Sequence, residues 1–202
     1  SASHQVTGGT FHGVAHRLLR RFGPAAGLPA DFTILDQADA SDLMGISRAA
    51  LGYADLKNAP RSAPRFPRAE TLQAMYSRQV NTERPIVELL GEQWPHFLAW
   101  TGDIERLFGD YVRRKAERNL LDYDDLLLSW ALLLEQAPPI ADQIRALYDH
   151  VLVDEYQDTN PLQSRILRAL CTNGKITVVG DDAQSIYAFR GATIRNILDF
   201  PQ

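Results

Sequence analysis

Apolar and polar positions along the chain follow two rhythms. Val14, Leu18 and Phe22 recur at every fourth position, with Arg17, Arg20 and Arg21 off that stripe, which predicts an amphipathic helix over 12–22. A short strand is expected ahead of it, over 6–10, and Gly23-Pro24 closes the helix. Residues 31–57 read as helical, with Ser41 as the N-cap. The run APRSAPRFPR at 59–68 places proline at every third or fourth position, which forbids a regular helix or a central strand and predicts a loop. From 69 to 121 the helical rhythm returns, with breaks near Pro85 and Pro95. There is no internal repeat.

The pattern changes at Asp122. Asp122 is expected to cap a helix that runs through 126–134, with Asp125 favourable in its first turn. Pro138-Pro139 ends that helix, and another is expected over 140–150. The apolar run at 151–153 is a short strand ending in Asp154-Glu155. Thr159 or Asn160 then caps a helix with Pro161 in its first position and Leu162, Ile166 and Leu170 on its buried face. Asn173-Gly174 turns the chain into a second apolar strand over 176–179, closed by Gly180-Asp181. A strand–helix–strand unit with wholly apolar strands predicts a parallel, buried sheet. The expected architecture is α/β from about Asp122 onward, with a mainly helical segment before it.

Composition narrows the class. In 202 residues, 45% hydrophobic and 23% charged, a packed core is expected, and a disordered tail, collagen and a disulfide scaffold are excluded. The one cysteine, Cys171, cannot form an internal bridge, and no apolar run approaches the roughly 20 residues that span a bilayer. A cytoplasmic protein with no membrane partner is expected. The net charge of −4 conceals a split: residues 1–121 carry 15 Lys and Arg against 13 Asp and Glu, and residues 122–202 carry 6 against 12. The acidic part is either a solvated surface or a place where clustered carboxylates hold a metal.

Both apolar strands end in acid, Asp154-Glu155 and Gly180-Asp181-Asp182. In open α/β sheets, ligands bind beyond the carboxyl ends of the strands. An Asp-Glu pair placed there suits nucleotide hydrolysis, in which one carboxylate holds Mg²⁺ and the next polarises the attacking water. The same pair can also do no more than cap the following helix. Further on, SIYAFR at 185–190 sets two aromatics and an arginine within six residues. Stacking on aromatic rings tolerates any base. Tyr187 and Phe189, two apart, would lie on different helix faces, which argues against both being core. His12 and His16 have the spacing of metal ligands, but no third ligand is near and a metal is not expected there. Arg61, Arg65 and Arg68 belong either to a solvated loop or to one that touches duplex phosphates.

The longer strings VDEYQDTN at 153–160 and VGDDAQSIYAFRGA at 179–192 closely resemble two adjacent motifs of the superfamily 1A DNA helicases, the family of UvrD, Rep and PcrA. Thr10-Phe11-His12, leading into an Arg-rich helix, resembles the motif that precedes the family's inserted subdomain, and DYDDLL at 122–127 resembles the motif that returns from it. The order and gaps of the four are family-like. The resemblance spans nearly the whole chain, strongest after 121. It implies a partial RecA-like P-loop NTPase sheet, domain 1A, over 1–36 and 122–202, and a mainly helical subdomain 1B over 37–121.

By that resemblance Asp154 would coordinate Mg²⁺ on ATP, Glu155 would be the general base, and Gln184 would reach the γ-phosphate and sense its loss. Asp158, Asp181 and Asp182 would have supporting places. Tyr187 and Phe189 would contact single-stranded DNA, with Phe189 the stacking aromatic and Arg190 supporting it, while Thr10 and His12 would touch the DNA backbone or brace its groove. The sequence departs from the family at Gly13, where serine is usual, and at Ala183, often acidic. It contains no G-x-x-x-x-G-K-[ST] run to cradle the β- and γ-phosphates. The family's phosphate loop is therefore expected upstream of Ser1 and its second motor domain beyond Gln202, making the chain a piece of an ATP-dependent 3′-to-5′ DNA helicase, inactive alone. The expected partners are single-stranded DNA, single–double-strand junctions and repair or replication proteins. Two alternatives stand beside this: a non-hydrolysing DNA-binding or docking module on the same fold, and the helicase part of a helicase–nuclease.

Overall fold

The computed structural model describes residues 6–53 and 65–181. The chain divides into two compact units, one of Ser1–Asp31 with Tyr123–Gln202 and the other of Phe32–Asp122.

The first unit begins with α1, Phe11–Phe22, whose N-cap Thr10 accepts a hydrogen bond from Gly13 N–H at 3.2 Å. Arg20 and Arg21 sit in its last turn, where positive charge complements the exposed carbonyls. Ala15, Leu18, Leu19 and Phe22 are its buried face, so Leu18 and Phe22 of the expected stripe are buried, Ala15 and Leu19 join them, and Val14 is only half-buried. The expected strand at 6–10 does not form: Gly9 has φ 152°, Val6 is exposed, and the segment pairs with no strand among the described residues. Helix α6, Tyr123–Gln136, buries Leu126, Leu127, Trp130, Leu133 and Leu134 and packs against α1 and α8. The two prolines that stop it start α7, Pro138–Arg145, because a proline in the first turn lacks only an N–H that has no partner there. That helix ends five residues short of the expected 150.

Strand β3, Val151–Val153, is followed by a 3₁₀ turn at Tyr156–Asp158 and by α8, Pro161–Leu170. Asn160 caps α8 in a reciprocal box: its Oδ1 accepts from Gln163 N–H at 2.8 Å, and Gln163 Oε1 accepts from Asn160 N–H at 3.0 Å. Strand β4, Ile176–Val178, pairs with β3 in parallel, Val151 opposite Ile176 and Val153 opposite Val178. Val151, Val153, Ile176 and Val178 pack with Phe11, Tyr156 and Leu167. The opposite face carries Leu152 and Val179, which are exposed, so among the described residues the apolar strands are covered on one face rather than both. Alternate side chains of a strand point to opposite faces, and only one face meets the helical layer.

The second unit is helical but is closed by strands that periodicity did not reveal. β1, Thr33–Ile34, pairs in parallel with β2, Leu120–Leu121. Thr33 N–H donates to Asn119 O and Leu35 N–H to Leu121 O, extending the ladder at both ends. Between them run α2 (Gln37–Ala50), α3 (Ala69–Thr82), α4 (Ile86–Gln93), a 3₁₀ turn at Pro95–Trp100 and α5 (Thr101–Glu117). The N-cap of α2 is Asp36, which accepts from Asp39 N–H at 2.8 Å, and not Ser41, which lies inside the helix. Met44, Leu72, Met75, Leu89, Leu90, Ile104, Leu107 and Tyr111 are at the centre of the core. Asp122, read from the sequence as a helix cap, has its Oδ2 in a buried cluster, where it accepts from Lys115 Nζ at 2.6 Å and Tyr111 OH at 2.8 Å. The Lys115 ammonium also lies 4.3 Å from the centre of the Tyr111 ring.

Candidate active site

The carboxyl ends of β3 and β4 lie side by side and are tied by main-chain bonds. Val179 N–H donates to Val153 O at 2.8 Å, and Tyr156 N–H donates to Val179 O at 2.9 Å. Asp154 and Glu155 follow β3 and are both exposed. Asp154 Oδ1 accepts from Glu155 N–H at 3.0 Å, which orients the first carboxylate. Glu155 has φ 52° and ψ 42°, a left-handed conformation that costs a non-glycine residue of order 1–3 kcal/mol. This kink ends the strand abruptly and turns the chain into the 3₁₀ turn, so both carboxylates stay at the strand end. Strain at such a position is often held where a site requires it.

Gln157 completes the arrangement, and the sequence reading assigned it nothing. It is 1% exposed. Its Nε2 donates to Glu155 Oε2 at 2.5 Å, and its Oε1 accepts from Asp181 N–H at 3.1 Å. The orientation of the amide follows from its partners: a carboxylate only accepts and a main-chain N–H only donates. Gly180 lies so close that a Cβ there would sit 2.7 Å from Gln157 Oε1 and 3.3 Å from Gln157 N. A glutamine among acidic residues gives no periodic or compositional signal. The one available cue was its place in the turn directly after the Asp-Glu pair.

Thr10 and His12 sit at the start of α1, where the Thr10 hydroxyl serves as the helix cap. The His12 ring meets Tyr123 edge-on, with centroids 5.7 Å apart, and burial lowers its pKa below the usual histidine value, which favours the neutral ring. His16 Nε2 accepts from Arg20 Nε at 3.1 Å. No group of three or more His, Cys, Asp or Glu side chains placed to hold a metal occurs among the described residues. Gln184, Tyr187, Phe189 and Arg190, with Asp182, lie outside the described residues.

A groove of about 490 Å³ lies elsewhere, beside α6, α7 and α8, with Glu135, Arg145, Arg165 and Arg168 among its lining. Two of its arginines serve the fold. Arg165 Nε donates to Glu135 at 2.7 Å, and Arg145 donates twice to Ala169 O, at 3.0 and 2.8 Å, at the end of α8. None of the candidate catalytic, metal or DNA-binding residues named from the sequence lines it.

A parallel strand–helix–strand unit with an exposed carboxylate pair beyond its strand ends is an α/β arrangement that sets those carboxylates where ligands of open sheets bind. The chain belongs to the UvrD/REP helicase N-terminal domain family, whose pattern it matches over residues 1–202. It is 35% identical over 207 residues to the ATP-dependent DNA helicase UvrD1 of Mycobacterium leprae, covering 95% of this chain and 25% of that protein. It is 34% identical over 193 residues to DNA helicase II of Escherichia coli, with the same coverage. With the ATP-dependent DNA helicase srs2 of Schizosaccharomyces pombe it shares 32% over 211 residues, 98% of this chain and 23% of that protein. The chain thus spans about a quarter of the length of these relatives.

Proposed function

We propose that the chain supplies part of the nucleotide site and of the single-stranded DNA path of an ATP-dependent 3′-to-5′ DNA helicase acting in the cytoplasm on strand junctions during repair, replication or recombination. The observation that carries this reading is the pair Asp154 and Glu155, exposed beside the end of β4, in a chain of this family. Residues 37–121, which fall within the unit Phe32–Asp122, are read as the inserted subdomain 1B, and 1–36 with 122–202 as domain 1A; the separate core of that unit supports the division.

Asp154 suits Mg²⁺, a hard cation that takes one or two carboxylate oxygens and completes its shell with phosphate and water. Bound there on the nucleotide, the ion would supply charge neutralisation for the phosphates. Glu155 orients the attacking water and accepts its proton as the oxygen–phosphorus bond forms and the bond to ADP breaks. Gln184 is assigned the γ-phosphate contact. Tyr187, Phe189 and Arg190 contact single-stranded DNA, Phe189 by stacking. Thr10 and His12 brace the DNA groove, His12 through a neutral ring.

The test is made in the full-length gene product. Glu155→Gln keeps ATP and DNA binding and lowers turnover by at least about 10²-fold, the low end for a general base. Asp154→Ala instead weakens binding of the Mg²⁺-nucleotide. Wild-type hydrolysis by Glu155→Gln would sink the assignment.

A further inference from the structure

We infer that Gln157 is a positioning residue for hydrolysis: it holds the Glu155 carboxylate in its working orientation and ties it to the backbone that leaves β4. The inference rests on the reading of Glu155 as the general base. Three observations carry it.

Gln157 is almost wholly buried in the 3₁₀ turn after β3, and both ends of its amide are used. Its Nε2 contact at 2.5 Å is to the one carboxylate assigned to proton transfer, and not to Asp154. Its Oε1 contact at 3.1 Å is to the main-chain N–H of Asp181, just beyond the neighbouring strand. A glutamate side chain has three rotatable bonds, and that of Glu155 is exposed on a kinked backbone. A single donor from a buried, doubly anchored amide removes most of that freedom. It engages Oε2 and leaves Oε1 without a contact from this amide, open to meet a water. The close approach of Gly180 shows how tightly the strand end is fitted to this amide. Because Asp181 lies three residues before Gln184, the same amide connects the base to the chain segment that carries the proposed γ-phosphate contact.

Two substitutions separate the contacts. Gln157→Glu leaves an oxygen for Asp181 N–H but sets a second carboxylate against Glu155. Like charges at contact raise the pKa of one member of the pair. Gln157→Leu removes both contacts at similar volume. The full-length gene product is assayed for steady-state ATP hydrolysis across pH, for ATP affinity and for melting temperature. The expected result for Gln157→Leu is a fall in kcat of about tenfold or more, as misorientation of a catalytic group predicts, with ATP affinity within about twofold. For Gln157→Glu the acid limb of the kcat–pH profile moves to higher pH by about one unit or more. In a Glu155→Gln background, Gln157→Leu should add little further loss, since it acts through a base already removed.

Wild-type kcat and an unmoved pH profile in both variants overturn the inference. So does a loss of melting temperature in both with unaltered kinetics in the folded fraction, which marks a purely structural glutamine. If Gln157→Leu yields no folded protein, the pH profile of Gln157→Glu decides. Failure of both to fold also counts against a positioning role. A full additional loss from Gln157→Leu in the Glu155→Gln background overturns action through Glu155. The underlying reading fails separately, by wild-type hydrolysis in Glu155→Gln alone.

Discussion

At the scale of single residues, the candidate site is a matter of close approach. Glu155 adopts a left-handed backbone that glycine would accept without cost, yet a glycine there would remove the carboxylate. Gly180 makes the opposite choice. It gives up a side chain so that the end of β4 can lie against the buried amide of Gln157. A Cβ 2.7 Å from Gln157 Oε1 and 3.3 Å from Gln157 N must displace the amide or the strand, since the second of these atoms is main chain. Gly180→Ala in the full-length gene product is therefore expected to lower kcat for ATP hydrolysis by about tenfold or more, the scale set by a displacement near 1 Å, while DNA-free ATP affinity changes little. Steady-state kinetics beside an equilibrium nucleotide titration check it. An unchanged kcat would mean that the strand end yields without moving Glu155.

Among the elements, the second unit shows how little periodicity says about short pairings. Two strands of two residues each, β1 and β2, bring the chain's entry into this unit beside its exit. No hydrophobic alternation can appear in two residues, and residues 31–36 were read as part of a helix. The exit is held further by Lys115 of α5, which is buried with Asp122 and Tyr111. A buried charge left without its partner is costly, whereas replacing both charges by apolar groups of similar size is often neutral or better. Asp122→Ala should thus destabilise this unit by about 3–5 kcal/mol, and the double change Lys115→Met with Asp122→Leu should recover most of that loss. Chemical denaturation of the three proteins provides the comparison. Equal stability of Asp122→Ala and the parent would show that the pair contributes nothing here.

On the scale of the whole molecule, two compact units share one chain, and the unit holding the carboxylate pair is assembled from both ends of the sequence. The 202 residues contain the carboxylates proposed for the nucleotide site and no G-x-x-x-x-G-K-[ST] run to balance them. Exposed carboxylates without a lysine or a nest of N–H groups repel a triphosphate. The purified 202-residue chain should therefore show no DNA-stimulated hydrolysis of Mg-ATP, and its binding to single-stranded DNA should be weak and salt-sensitive. Hydrolysis that persists through repurification and disappears in Glu155→Gln would refute this. The residues themselves determined a good deal: the helices with an apolar stripe, the parallel pairing of two apolar strands around α8, a cap at Thr159 or Asn160, and the acidic pair that ends β3. These are legible because each depends on neighbours within a few positions or on a motif written contiguously. The pairing of Thr33–Ile34 with Leu120–Leu121, the burial of Lys115 against Asp122, and the bridge from Gln157 to both Glu155 and Asp181 were decided by tertiary structure. Each joins groups by distance and angle in space: two-residue strands are too short to show an alternation, and Lys, Asp and Gln are types that elsewhere sit in water, so nothing in their order along the chain distinguishes them.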